Sequence, residues 1–144
     1  MYLADTNVIS AGAPRRIGAV NLVQWMDEHS ASLYLSVVTV AEIEDGIAKA
    51  RREKAQRKAA DLAAWLEVLL HLYASRILAF DLSAARIAGA LSDMARSQGT
   101  DPGFGDLAIA ATARRHGLTI LTRNTRHFAP LGVPAVNPFE ELPP

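Results

Sequence analysis

Short apolar segments alternate with longer amphipathic stretches along the chain, and this alternation constrains the fold more than any other feature. The apolar segments have the length and flanking residues of buried strands, and they lie at 2–4, 33–35, 77–80, 118–121 and 133–136. Helical periodicity fills the intervals, at 17–29, 39–50, 54–73, 83–97 and 101–116. Strands alternating with helices predict an α/β protein with three α/β/α layers and a central, mostly parallel sheet. The last strand is expected at the sheet edge.

Composition narrows the class of protein further. The 144 residues are enough for one domain over 1–144 with a sizeable core. Lys and Arg number 15 and so do Asp and Glu, so any nucleic-acid binding must depend on local patches. The absence of cysteine removes disulfides and thiolate metal sites. Because no segment reads as a signal peptide or a membrane span, we expect a soluble, cytoplasmic protein with no membrane partner.

Acidic residues follow the predicted strands, where a parallel sheet places its ligands. Asp5 comes directly after the first strand, although an Asp there is also a common turn residue. Glu42 follows the second strand, but Thr39-x-x-Glu42 also fits a capping box at a helix start. Asp106 lies on the predicted apolar face of a helix capped by Asp101, and the alternative there is a buried salt bridge to an arginine.

Three carboxylates gathered in one cleft repel one another, and a hard divalent cation is the usual relief. Oxygen ligands of this kind suit Mg²⁺ or Mn²⁺, which can activate water against a phosphodiester. The four histidines lack the paired spacing of a zinc site, and the chain has no P-loop and no GxSxG sequence. Asn124, after the fourth strand, adds one more polar side chain to the same edge; alone, it would be an ordinary loop residue.

Four motifs, in this order, resemble those of the PIN domain, and most closely those of the VapC toxins of type II toxin–antitoxin pairs, including the FitB-like branch. They are LADTNVIS at 3–10, LSVVTVAE at 35–42, DLAIAATA at 106–113 and LTRN at 121–124. The resemblance covers essentially the whole chain. It implies a PIN-like α/β/α fold and an endoribonuclease that depends on Mg²⁺ or Mn²⁺.

Carried over position by position, the resemblance implies roles for particular residues. Asp5, Glu42 and Asp106 match the acidic triad that holds the metal. Asn124 stands at the fourth catalytic position, where the family often has Asp, and this departure weakens the case for a second metal. The residues expected to support the site are Thr6, Asn7 and Thr122, with Ser36 and Thr39 nearby.

Basic residues supply candidates for contact with RNA. Arg123 and Arg126 belong to the segment that carries Asn124, so they are candidates to position the RNA backbone. A second basic run covers residues 49–58, for which a solvated helix junction is the simpler interpretation.

The resemblance also implies protein partners. These are a VapB-like antitoxin, whose C-terminal segment would lie in a groove beside the cleft, and a second copy of the chain in a homodimer. An apolar surface on the helix at 54–73 is a candidate for the groove, although core packing explains most of it; its residues are Trp65, Leu66, Leu69, Leu70 and Tyr73. The alternative functions are a non-catalytic, protein-binding PIN-like protein and a metal-dependent DNA nuclease or phosphatase.

Overall fold

The computed structural model describes all residues from 1 to 144 and contains five strands and seven helices. The strands are β1 Tyr2–Ala4, β2 Leu33–Ser36, β3 Ile77–Leu78, β4 Thr119–Leu121 and β5 Ala135–Val136. The helices are α1 Thr6–Ile9, α2 Val20–Glu28, α3 Val37–Arg52, α4 Gln56–Leu72, α5 Leu82–Ser97, α6 Phe104–His116 and α7 Thr125–Phe128. No helix is long and apolar enough to cross a membrane.

All five strands are parallel, in the order β3-β2-β1-β4-β5. The first strand is therefore central: it pairs with β2 on one side and with β4 on the other. The predicted edge position of the last strand is confirmed. Strands β2 and β3 follow on one side of β1, and β4 and β5 follow on its other side. The strand order therefore reverses between β1 and β4. Open parallel sheets bind their ligands at such a point.

Helices cover both faces of the sheet, which confirms the predicted three layers. Alternate strand residues point to opposite faces. Leu3 and Ile120 therefore pack with α5 and α6, whereas Ala4 and Leu121 pack with α2, α3 and α4. Each face has its own cluster of buried apolar side chains, and these two clusters fix the sheet between the helical layers.

Two predicted helix starts are wrong, and both errors concern acidic residues. Helix α3 begins at Val37, two residues before Thr39, and its N-cap is Ser36, whose Oγ accepts a hydrogen bond of 3.0 Å from the amide of Val38. Glu42 therefore lies within the helix and takes no part in a capping box. Helix α6 has Gly103 as its N-cap, so Asp101 does not cap it.

The remaining differences are small. Strand β3 covers only two of the four residues predicted, and β5 also two of four. The short helices α1 and α7, each of four residues, have no apolar periodicity long enough to be seen in a sequence. Helix α1 begins just after β1 and helix α7 just after β4, so both lie next to the candidate site.

Candidate active site

The carboxyl ends of β1 and β4 form the centre of the site. Ala4 is in register with Leu121, and the backbone amide of Asp5 donates a hydrogen bond of 2.9 Å to the carbonyl of Leu121. Asp5 and Thr122 therefore leave the sheet side by side. Both are buried, with 7% and 0% of their surface exposed.

Three donors hold the carboxylate of Asp5. Its Oδ1 accepts a hydrogen bond of 2.8 Å from the amide of Thr6, which makes Asp5 the N-cap of α1. Its Oδ2 accepts hydrogen bonds of 2.8 Å from the hydroxyl of Thr122 and 3.2 Å from the amide group of Asn7. The turn interpretation of Asp5 is thus correct, but capping uses only one carboxylate oxygen.

Burial and neighbouring charge nevertheless raise the pKa of Asp5 above its usual value. Burial is the largest cause, since it disfavours the charged form, and the negative charge of Asp106 acts in the same direction. The hydrogen bonds from Thr122 and Thr6 oppose this rise in pKa, as does the imidazole of His127 to a smaller extent. The site therefore holds an ionisable carboxylate where a negative charge is unfavourable.

Helix α3 brings a second carboxylate to the same end of the sheet. The pKa of Glu42 is also raised, first by partial burial and then by the charges of Asp5 and Asp106, while Thr6 opposes the rise. The Thr6 hydroxyl donates a hydrogen bond of 3.1 Å to the hydroxyl of the buried Thr39, which ties α1 to α3. Thr39 thus has a supporting contact here.

Asp106, in the first turn of α6, is only half-buried, and no arginine pairs with it, so the alternative of a buried salt bridge to an arginine is wrong. Its partner is His127, whose Nδ1 lies 3.2 Å from Oδ2 of Asp106. Sequence reasoning missed this contact because the short helix α7 that carries His127 was not predicted. Asp106 keeps 30% of its side chain exposed and is open to further partners.

The acidic cluster, defined here as Asp5, Glu42 and Asp106, fits a divalent cation in charge and in donor type. Each of the two raised pKa values has the charge of another cluster member among its causes. In this geometry no group of three His, Asp or Glu side chains converges closely enough to form a metal site. What favours a cation here is the mutual repulsion of these carboxylates together with their oxygen donors, the combination that suits Mg²⁺ or Mn²⁺.

A sequence profile decides the family. The PIN domain matches residues 2–132, which is nearly the whole chain and includes every residue of the acidic cluster. The chain belongs to the PIN domain family.

Relatives of this PIN domain span its full length. Toxin FitB of Neisseria gonorrhoeae is 35% identical over 142 residues, with 98% of this chain and 100% of that protein covered. A VapC ribonuclease of Sinorhizobium fredii is 38% identical over 144 residues, covering 97% of this chain and 99% of the relative. The crystal structure of FitAcB from N. gonorrhoeae matches with a TM-score of 0.84 and 37% identity, over 96% of this chain and 99% of that one.

Asn124, predicted as the fourth residue of the site, lies beside the network of Asp5. Its backbone amide donates a hydrogen bond of 3.0 Å to the Thr122 hydroxyl. The asparagine precedes α7 without capping it through its side chain. Asn7 links the same loop to α1, because its Oδ1 accepts a hydrogen bond of 3.1 Å from the amide of Arg123.

The two arginines proposed for RNA differ in position. The guanidinium of Arg123 lies over the ring of Phe139, with Cζ 4.0 Å from the ring centroid, so it is directed to the C-terminal tail. Arg126 is exposed and lines a cavity of about 340 Å³ together with Asp106 and His127. Of these two arginines, Arg126 therefore shares this cavity with Asp106, a member of the acidic cluster.

The apolar residues named on the helix at 54–73 are mostly part of the core. Leu66, Leu69 and Tyr73 are buried, as the core-packing interpretation predicts. The exposed apolar side chains of α4 are instead Val68 and Leu72, at 55% and 59% exposure. They line a cavity of about 310 Å³ between α2 and α4, which we call the α2–α4 groove.

Proposed function

We propose that this chain is the toxin of a type II toxin–antitoxin pair and an endoribonuclease that depends on Mg²⁺ or Mn²⁺. The observation that carries the proposal concerns the buried Asp5. Both of its carboxylate oxygens accept hydrogen bonds, yet its pKa is still raised. The charge of Asp106 contributes to this rise, and the charges of Asp5 and Asp106 in turn raise the pKa of Glu42. A protein that used the cleft only for binding partners would gain nothing from this repulsion. The relatives named toxin and VapC ribonuclease support the same function.

Asp5, Glu42 and Asp106 are the residues that would hold the cation. When bound, the ion supplies a Lewis acid that activates water and stabilises the leaving oxygen of a phosphodiester. The chain itself orients the Asp5 carboxylate: Thr122 and Asn7 hold Oδ2 by hydrogen bonds, and the amide of Thr6 holds Oδ1. Asn124 completes the site as a neutral group beside Thr122. Arg126 then provides a positive charge near Asp106 for a neighbouring RNA phosphate.

The α2–α4 groove is the proposed site for the antitoxin. Its exposed Val68 and Leu72 suit an apolar peptide segment, as in helix-in-groove recognition. Trp65 lines this groove and also a second groove that reaches Thr6 and Glu42, so the two grooves are neighbours at Trp65. A peptide bound between α2 and α4 could therefore extend a basic side chain to the acidic cluster and inhibit by replacing the cation.

Homodimer formation is proposed through the apolar first residues of α5 and α6. Leu82 and Phe104 are 78% and 67% exposed. Phe104 packs edge-on against Phe80, with ring centroids 5.6 Å apart, and Phe80 is two residues before Leu82 in the chain. Light scattering on Leu82→Glu is expected to give a monomer where the parent is a dimer; a monomeric parent would contradict the dimer.

One experiment tests the activity directly. The parent chain and Asp5→Asn are incubated with a mixed pool of structured RNA and DNA in Mg²⁺, Mn²⁺ or EDTA. The parent is expected to cut RNA only with a divalent ion, and Asp5→Asn to lose at least about 10²-fold in rate. Cleavage of DNA alone would favour the nuclease alternative, and absence of cleavage and of metal binding would favour a binding protein. Because the substrate is RNA, we place the activity in the cytoplasm.

A further inference from the structure

A groove of about 590 Å³ leads away from the acidic cluster between α3, α4 and the segment after α1. We call it the α3–α4 groove. Thr6 and Glu42 line the end beside the cluster, and Lys49 and Lys58 line the part farther away. The groove is thus open to the proposed catalytic residues and is not a separate cavity.

One face of α3 forms the floor of this groove. Glu42, Gly46 and Lys49 line it at spacings of four and three residues, which place them on a single face of the helix. From Glu42 to Lys49 the helix rises about 10 Å. A ligand chain that extends from the acidic cluster along this face therefore passes Gly46 and then reaches the cation of Lys49.

Nothing in the protein requires a glycine at position 46, as is also true of Gly89 in α5, but only Gly46 lines this groove. It lies within the 16 residues of α3, where glycine is the least favourable residue after proline. Its φ is not in the left-handed region, and a Cβ built at this position meets no atom within 4 Å. The helix loses stability at Gly46 and keeps an open strip on its groove face. That strip allows a bound chain to approach the helix backbone closely.

Four cations and three acids line the groove, and two of the cations form no ion pair. Arg15 pairs with Asp61 at 2.8 Å, and Lys49 lies 4.0 Å from Glu53. Two further lining cations, Arg16 and Lys58, have no acidic partner within 4.0 Å. They belong to opposite walls, since Arg16 follows α1 and Lys58 is on α4.

Beyond the groove the positive charge continues at the α3–α4 junction. Six of the 15 Lys and Arg residues of the chain fall within positions 49–58, with Glu53 the single acid among them. In a protein of zero net charge, this is a local patch of the kind that binds phosphates. The solvated-junction interpretation does not explain why the patch is joined to the acidic cluster by a groove.

We propose that the α3–α4 groove binds the phosphodiester backbone of single-stranded RNA on the Glu42 side of the cleaved bond, an inference that rests on the function proposed above. The strand runs over Gly46, and its phosphates lie between Arg16 and Lys58. Because these contacts are to phosphates, the groove contributes affinity and register and does not select a base sequence.

Two substitutions with matched controls test the proposal. Gly46→Gln fills the groove, and Gly89→Gln makes the same change in α5, where an added Cβ also meets nothing within 4 Å. Lys58→Glu removes a groove cation, and Arg86→Glu makes the same charge change at an exposed site on α5. The probe is a fluorescein-labelled single-stranded RNA of mixed sequence. Its binding is followed by anisotropy in EDTA over a range of salt, and its cleavage is followed in Mn²⁺.

The expected results separate an effect on RNA from an effect on folding. Both glycine variants are expected to raise Tm by about 2 °C, because glutamine favours a helix over glycine. Only Gly46→Gln is expected to lower RNA cleavage, by about 10²-fold. Lys58→Glu is expected to reduce the slope of log affinity against log salt by about 0.7, and Arg86→Glu to leave it unchanged.

Other outcomes overturn the proposal in distinguishable ways. If Gly46→Gln and Lys58→Glu bind and cleave RNA like the parent, the groove does not hold RNA, and an acidic peptide becomes the occupant to consider. If the parent itself cuts no RNA, the proposed function fails. The anisotropy arm still decides whether the groove binds RNA, since that measurement needs no cleavage.

Discussion

The hydroxyl of Thr122 donates a hydrogen bond of 2.8 Å to Oδ2 of Asp5, although the two residues are 117 positions apart in the chain. Pairing of β1 with β4 brings them together. The same hydroxyl accepts a hydrogen bond from the amide of Asn124, so its single proton is directed at Asp5. The contact therefore stabilises the ionised carboxylate and opposes the effect of burial on its pKa.

Replacing Thr122 by valine tests this contact, because valine has the same shape without the hydroxyl. Thr122→Val should lower the free energy of unfolding by about 1–3 kcal/mol, since it removes one of the three donors to the buried Asp5 carboxylate and the acceptor of the Asn124 amide. Urea denaturation measures the change. Thr122→Ser keeps the hydroxyl and serves as the control; equal losses in both variants would indicate that the methyl group, and not the hydrogen bond, is responsible.

The raised pKa values of Asp5 and Glu42 predict how stability depends on pH in the absence of metal. A carboxyl group whose pKa is higher in the folded state binds its proton more tightly there than in the unfolded chain. Its contribution to stability is therefore full at low pH. It is lost as the pH rises from the ordinary values of 3.8 and 4.5 through the raised ones.

Asp5→Asn isolates this effect, because it removes one of the two groups. In EDTA, Tm of the variant relative to that of the parent is expected to increase as the pH rises from about 4 to neutrality. Asp101→Asn, at an exposed acid outside the cluster, should show no such trend. A difference between Asp5→Asn and the parent that stays constant with pH would contradict the assignment.

Arg126 is expected to contact a phosphate of the RNA. In EDTA, Arg126→Glu should lower the affinity for single-stranded RNA about ten-fold and reduce its salt dependence. Arg86→Glu changes the net charge equally and should alter neither property. Arg123→Glu is expected to have the smaller effect of the two loop variants, because Arg123 lies over Phe139. A larger loss of RNA affinity in Arg123→Glu than in Arg126→Glu would contradict this assignment and would indicate that Arg123 leaves Phe139 when RNA binds.

The start of α3 gives a prediction about stability alone. Ser36→Ala should cost about 1 kcal/mol, because the amide of Val38 loses its cap. Glu42→Gln should not destabilise the metal-free protein, since Glu42 takes no part in capping. Thermal unfolding of both variants in EDTA checks this. A loss of stability in Glu42→Gln comparable to that in Ser36→Ala would support the capping box that the sequence predicted.

The layers of the fold were predictable because they depend on periodicity. Leu3 and Ala4 face opposite sides of the sheet, as alternation along a strand requires, and the long helices carry apolar faces. Helix starts were less predictable. Thr39 matches a capping box, but tertiary packing buries it against Thr6, and Ser36 caps the helix instead.

Within the site, the sequence indicated which acids face the end of the sheet but not what holds them. The contact between Asp106 and His127 depends on α7, a helix of one turn that has no periodicity to detect. The open strip at Gly46 could not be predicted from the sequence either, because it depends on which atoms of the folded chain come near this position, and none does. Arg123 and Arg126 are three residues apart, yet only the structure shows that they point to different partners.

We propose that Asp5, Glu42 and Asp106 together hold one divalent cation. Calorimetric titration of the metal-free protein with Mn²⁺ tests it most directly, on the parent, Asp5→Asn, Glu42→Gln and Asp106→Asn, with Asp101→Asn as control. The parent and Asp101→Asn are expected to bind Mn²⁺, and each cluster variant is expected to bind it at least about ten-fold more weakly. Affinity unchanged in the cluster variants, or no binding by the parent, would contradict it.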